Sequence, residues 1–262
     1  MYMGHAAAPA KWFDMWSNRG KQYLSPLDQE MGIAGHVGRT PRPNAAHPPK
    51  IMFLCAVAEP VPARDFDGRI GIWDFTDEVY AQRSSHRRPA GTLELKSKNV
   101  TAELWEHMFR EKVIPAALEK CKWAKKIIFQ VDGATPHVGA LKNLRAYGET
   151  VTPRVEFVQQ PANSPDTNIN DLAFFASLKA GVYTPQEEND FFDDLLDLRA
   201  RVREVYDTYH STEKLQKLFR LKRAVRAEIV AHRGGNQFPM PHGGGAPPRN
   251  VRATTRAQNV VQ

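Results

Sequence analysis

Residues 127–137 read Ile-Ile-Phe-Gln-Val-Asp-Gly-Ala-Thr-Pro-His. Ile127 to Val131 is a short apolar run, the length of a strand buried in a sheet. It ends on Asp132, followed by Gly133, so a buried strand delivers one carboxylate to a turn. Open α/β sheets place their ligand sites outside such strand ends. Asp-Gly is equally an ordinary turn dipeptide, and at this point both readings stand.

Working outward, the spacing predicts a helix over Val138 to Tyr147 and a strand over Val155 to Val158. Upstream, Ile51 to Ala58 (IMFLCAVA) has the pattern of a strand buried on both faces. Asp67-Gly68 offers a turn into a further strand, RIGIWDF. From Thr101, an N-cap residue, Leu104, Met108, Val113 and Leu118 predict a helix to about Lys120, with Pro115 as its break or kink. Lys11 to Tyr23 reads as a hairpin with strands near 11–15 and 21–25, and Gly32 to Lys50 as a loop. Amphipathic spacing predicts two closing helices, about Pro185 to Tyr209 and Thr212 to Ala231. The order of strands, helix, strand, helix, strand and helices implies an α/β fold, a mixed sheet flanked by helices.

Ser164-Pro165-Asp166-Thr167-Asn168-Ile169-Asn170-Asp171 precedes the apolar run LAFFASL. Asp171 thus opens a helix, where a carboxylate suits the macrodipole whether it is a cap or a ligand. The formal charge of +7 and a pI near 9.4 favour polyanionic partners. Cys55 and Cys121 fit buried reduced thiols rather than a disulfide framework or a zinc site. MYMGHAAAP lacks the apolar run of a secretory signal, and no stretch approaches a bilayer span, so a soluble intracellular protein is expected.

Taken in order, KWF (11–13), MFLCAVA (52–58), FDGRIGIW (66–73), RSS and RPAGTLE (83–94), EKVIPA (111–116), FQVDGATPH (129–137) and QPANSPDTNINDLAFFASL (160–178) resemble the mariner-type transposases, in particular their plant and eukaryotic branch. The resemblance covers roughly residues 11 to 240. It implies a ribonuclease H-like fold in which three carboxylates hold two Mg²⁺ or Mn²⁺ ions and cut DNA. Carried over by position, Asp132 is the second acid and Asp171 the third, both catalytic and metal-binding, and Asp166 is a turn residue. His137 falls at the position of a residue supporting the site or touching phosphate; a helix-capping role fits it equally. Hard divalent ions take carboxylate oxygens, and a metal pair can activate the attacking oxygen and stabilise the leaving one.

Three departures set the chain apart from that family. The first acid of the family falls two positions before Lys11, where this chain has Pro9; Asp14 is expected on the opposite face. Gly133 stands where relatives carry Asn. The family's bipartite helix-turn-helix region has no counterpart here, so recognition of terminal repeats is expected to be absent. The organisation expected is an unmatched segment 1–10, a catalytic domain 11–183, its helical extension 184–240 and a disordered tail 241–262.

Basic residues Lys214, Lys217, Arg220, Lys222, Arg223 and Arg226 crowd the last helix, opposite Leu218, Leu221, Val225 and Ile229. Arg87, Arg88, Lys217, Arg220 and Arg223 are candidates for DNA backbone contacts, and a solvated charged face explains the same spacing. The expected function is a transposase-derived nucleic-acid-binding domain with impaired strand cleavage; the alternatives are a domesticated interaction protein or part of an active transposase. Its expected partners are DNA and a second copy of the chain, with no membrane or small-molecule substrate, and its expected location is the nucleus.

Overall fold

The computed structural model describes residues 6–15, 48–86, 88–162, 164–183, 192–208, 211–235 and 238–239. The second strand of the hairpin expected over 11–25, most of the loop expected over 32–50, and the tail 241–262 lie outside them.

The main sheet is built on β3 (Lys50–Val57), the IMFLCAVA run. One edge of β3 pairs antiparallel with β4 (Arg69–Asp74). Its other edge pairs antiparallel with β1 (Ala6–Ala7) and β2 (Ala10–Asp14) in one continuous register, so these two pieces form a single strand interrupted at Ala8 and Pro9. β1 then pairs parallel with β7 (Lys126–Val131), and β7 parallel with β8 (Arg154–Gln159). The sheet is therefore mixed, as expected. β5 (Thr76–Tyr80) and β6 (Leu93–Ser97) form a separate antiparallel hairpin. The turn before β4 uses Gly68 at φ 94°, where a Cβ would come 2.6 Å from the Ala58 carbonyl oxygen.

Strand alternation sends successive residues to opposite cores. Leu54 and Ala56 of β3, with Ile127, Phe129 and Val131 of β7, face α1 (Ala102–Met108), α2 (Ile114–Lys120) and α3 (Thr135–Thr150). Phe53, Cys55 and Val57, with Phe13 of β2, face α4 (Phe175–Val182), α5 (Leu195–Thr208) and α6 (Thr212–Ala231). The helices thus cover both faces.

Thr101 caps α1 by accepting from the Leu104 N–H. Of the break or kink expected at Pro115, the helix shows no break but an irregular turn just before it. Proline offers no N–H to the preceding turn and its ring crowds the carbonyl four residues back. The helix absorbs both effects by widening into a π turn over Phe109–Val113, then continues as α2. A second π turn, Asn170–Phe174, leads into α4. The start of the helix expected from Pro185 lies outside the described residues; among those described, α5 begins at Leu195, with Asp194 accepting from the Leu196 and Asp197 N–H groups. α6 matches its expected span.

Candidate active site

β1 and β7 run parallel, with Ala6 beside Phe129 and Ala7 beside Gln130. The Ala8 N–H continues the pairing by donating to the Gln130 carbonyl at 3.3 Å. Carried two residues further, the register sets Pro9 beside Asp132, at the ends of neighbouring strands about 4.8 Å apart. Against β3, Pro9 stands opposite Cys55, and its carbonyl accepts from the Cys55 N–H at 3.2 Å. Proline cannot return that bond. The Cys55 carbonyl instead accepts from Asn170 Nδ2 at 2.9 Å. Asn170 is fully buried and directly precedes Asp171, so the donor missing at Pro9 is supplied by the segment carrying the second carboxylate.

The Asp132 side chain folds back on its own turn, Oδ1 accepting from the Ala134 N–H at 3.0 Å. His137, 5% exposed, also hydrogen-bonds Asp132 Oδ1 through Nδ1, which must carry the proton. The imidazole stacks on Trp105 with ring centroids 3.5 Å apart and planes at 24°. Trp105 is wholly buried, so α1 fixes the ring that holds the carboxylate. Asp171 lies between two donors: Lys11 Nζ is 3.6 Å from Oδ1, and Asn168 Nδ2 is 3.4 Å from Oδ2.

These surroundings drive the two acids apart. Burial works to raise Asp132, but the hydrogen bond and charge of His137, the Ala134 N–H and the Lys11 charge together hold it below its ordinary value. Burial also raises Asp171; Lys11 opposes this, the Asp132 charge adds to it, and Asp171 ends above its ordinary value. The two carboxylates therefore interact, although 38 residues separate them in sequence.

The other acids fall where turns need them. Asp65 takes φ 54° at the end of a 3₁₀ turn, Asp67 pairs with Arg69, and Asp166 belongs to the 3₁₀ turn Pro165–Thr167. Asp14 is five residues along the strand from Pro9, about 16 Å at the usual rise. Its carbonyl accepts from the Tyr183 hydroxyl at 2.6 Å.

Arg87 lies outside the described residues. Arg88 is in an ion pair with Glu94, Lys217 with Glu213 at 2.8 Å, and Arg223 with Glu59; Arg220 is exposed. Lys222 is not on the charged face expected of the last helix. It is 4% exposed, in the buried stripe of Leu215, Phe219 and Val225, and donates to Gln130 Oε1 at 3.0 Å. Gln130 Nε2 in turn donates to the Thr167 carbonyl at 3.2 Å, in the turn leading to Asp171. The helical spacing of 215, 219, 222 and 225 was a sequence signal for Lys222. Trp105 and Asn170 had none, because their partners are remote in sequence.

The family expected from sequence calls for two divalent ions, and the residues present do not fit that pair. Pro9 offers no carboxylate, Asp171 is paired with an ammonium, and among the described residues no group of three His, Cys, Asp or Glu side chains could hold a metal. Among the same residues, no helix is long and apolar enough to cross a membrane.

No protein-family model and no curated protein sequence matches the chain. A solved structure does: the Mos1 mariner paired end complex with Mn, at a TM-score of 0.59 and 19% sequence identity. The likeness covers 88% of this chain and 55% of that one, so this chain spans about half the length of the solved protein. The fold is a ribonuclease H-like mixed sheet flanked by helices, of the kind seen in that mariner complex.

Proposed function

We propose that the chain is a transposase-derived nucleic-acid-binding domain, descended from the plant and eukaryotic mariner-like branch, in which metal-dependent strand cleavage has been lost. The observation that carries this reading is that Asp132 and Asp171 act on one another and share Lys11, while Pro9 stands at the position expected for the first acid. Two acids held by His137, Trp105, Asn168 and Lys11 keep the framework of such a site. Without a third carboxylate the geometry that would fix two ions is incomplete. The extent proposed is residues 11–183 with their helical extension 184–240, drawn back to Ala6 by β1.

The solved mariner structure is a paired end complex, and the net charge of +7 suits the same class of partner. DNA is therefore the proposed ligand, held through backbone contacts from Arg87, Arg88, Lys217, Arg220 and Arg223, with a homodimer and a nuclear location belonging to the same reading. The exposed large apolar side chains among the described residues, Tyr80, Val138, Val158 and Val230, stand one each on β5, α3, β8 and α6. They do not favour protein docking as the main role.

Fluorescence anisotropy with a labelled duplex tests the proposal. Affinity should fall linearly on a log–log plot against salt, without sequence preference, and Lys217→Glu/Arg220→Glu/Arg223→Glu should weaken it and flatten the slope. The same duplex should stay uncut in Mn²⁺. Absence of binding at low salt would refute the nucleic-acid reading, and specific nicking that Asp132→Asn abolishes would refute the loss of cleavage.

A further inference from the structure

The acidic pair already has a cation. Lys11 sits in β2 opposite Phe53, two residues beyond Pro9, so the pleat places it on the same side of the strand as position 9. Its Nζ lies 3.6 Å from Asp171 Oδ1. Its positive charge acts on Asp132 as well, helping to lower that carboxyl and opposing the rise of Asp171.

Three of the four carboxylate oxygens are committed to protein donors. Asp132 Oδ1 takes the Ala134 N–H and His137, Asp171 Oδ1 faces Lys11, and Asp171 Oδ2 takes Asn168 Nδ2. A hard divalent ion needs several such oxygens together and is repelled by an ammonium among them. A third carboxylate, which would tip that competition towards the metal, is missing at Pro9 on the adjoining strand end.

We infer that Lys11 is the built-in counter-ion of the Asp132–Asp171 pair and that its ammonium closes the pair to divalent metal. The inference rests on reading the pair as the remnant of a metal site. Lys11 supplies from within the charge that a bound ion would bring. Its side chain is 47% exposed, so removing the charge leaves both cores untouched.

The test is a titration of the full chain with Mn²⁺, free ion being counted from its room-temperature EPR signal. The wild type and Lys11→Arg should leave millimolar Mn²⁺ free. Lys11→Gln should tighten binding about tenfold or more, and Pro9→Asp/Lys11→Gln should bind most tightly. Adding Asp171→Asn to Lys11→Gln should abolish the gain, which assigns it to this pair. Circular dichroism checks that each variant is folded. Wild-type binding as tight as that of Lys11→Gln overturns the inference, and so does a Lys11→Gln variant that binds no Mn²⁺. DNA anisotropy in EDTA reports separately: its failure would sink the nucleic-acid reading and leave the Mn²⁺ result standing.

Discussion

Replacing Lys222 by methionine tests how the last helix is tied to the site. The ammonium is 4% exposed and faces the neutral amide of Gln130. Burial, and then the Arg226 charge, depress its pKa from 10.5 to about 8, with Glu59 opposing. Keeping Lys222 charged at neutral pH therefore costs on the order of 3 kcal/mol. Methionine removes that cost and keeps the stem, but orphans Gln130 Oε1 at about 1–3 kcal/mol, so the two proteins should differ little at pH 7.

The difference should change with pH. Between about 8 and 10.5 the unfolded chain holds a proton on Lys222 that the folded chain has released, so this lysine's penalty shrinks as pH rises through that window. Between pH 7 and pH 9.5 the wild type should gain about 2 kcal/mol on Lys222→Met. Urea unfolding of both proteins at the two pH values measures it, and titrations common to both cancel. A difference that does not move with pH would refute the buried, uncompensated cation.

Three further outcomes follow from the packing. Asp171→Asn should raise the thermal midpoint at pH 7, because burial and the Asp132 charge disfavour the Asp171 carboxylate; that cost sets in as pH rises past the ordinary carboxylate value, so the gain should vanish near pH 3. An unchanged midpoint at pH 7 would count against a coupled pair. Trp105→Ala should lose about 3–5 kcal/mol in urea unfolding, since it empties a fully buried ring position and frees His137; a loss below about 1 kcal/mol would mean the site collapses around the gap. Gly148→Ala should cost about 1–3 kcal/mol in the same assay, because its Cβ would meet the Val155 carbonyl oxygen at 2.1 Å; a neutral effect would place α3 farther from β8.

Much of the fold was legible in local pattern. Continuous apolar runs marked β3 and β7, Asp67-Gly68 marked the turn into β4, and amphipathic spacing marked α6, because strand and helix periodicities are written into neighbouring residues. Asp132 and Asp171 stood out for the same reason, each being a carboxylate at the end of an apolar element. Tertiary structure alone decided what those elements meet. Ala6 and Ala7 carry no strand signal, yet they lie between β3 and β7 and bring Pro9 beside Asp132. That His137 rests on Trp105, that Asn170 answers the donor Pro9 lacks, and that Lys11 faces Asp171 are contacts between segments remote in sequence. The Lys222 position is written in the helical period, but what receives its charge is Gln130, 92 residues away in sequence. Local sequence sets which residues share a face; long-range register and packing set which faces meet, and there the chemistry of this site is decided.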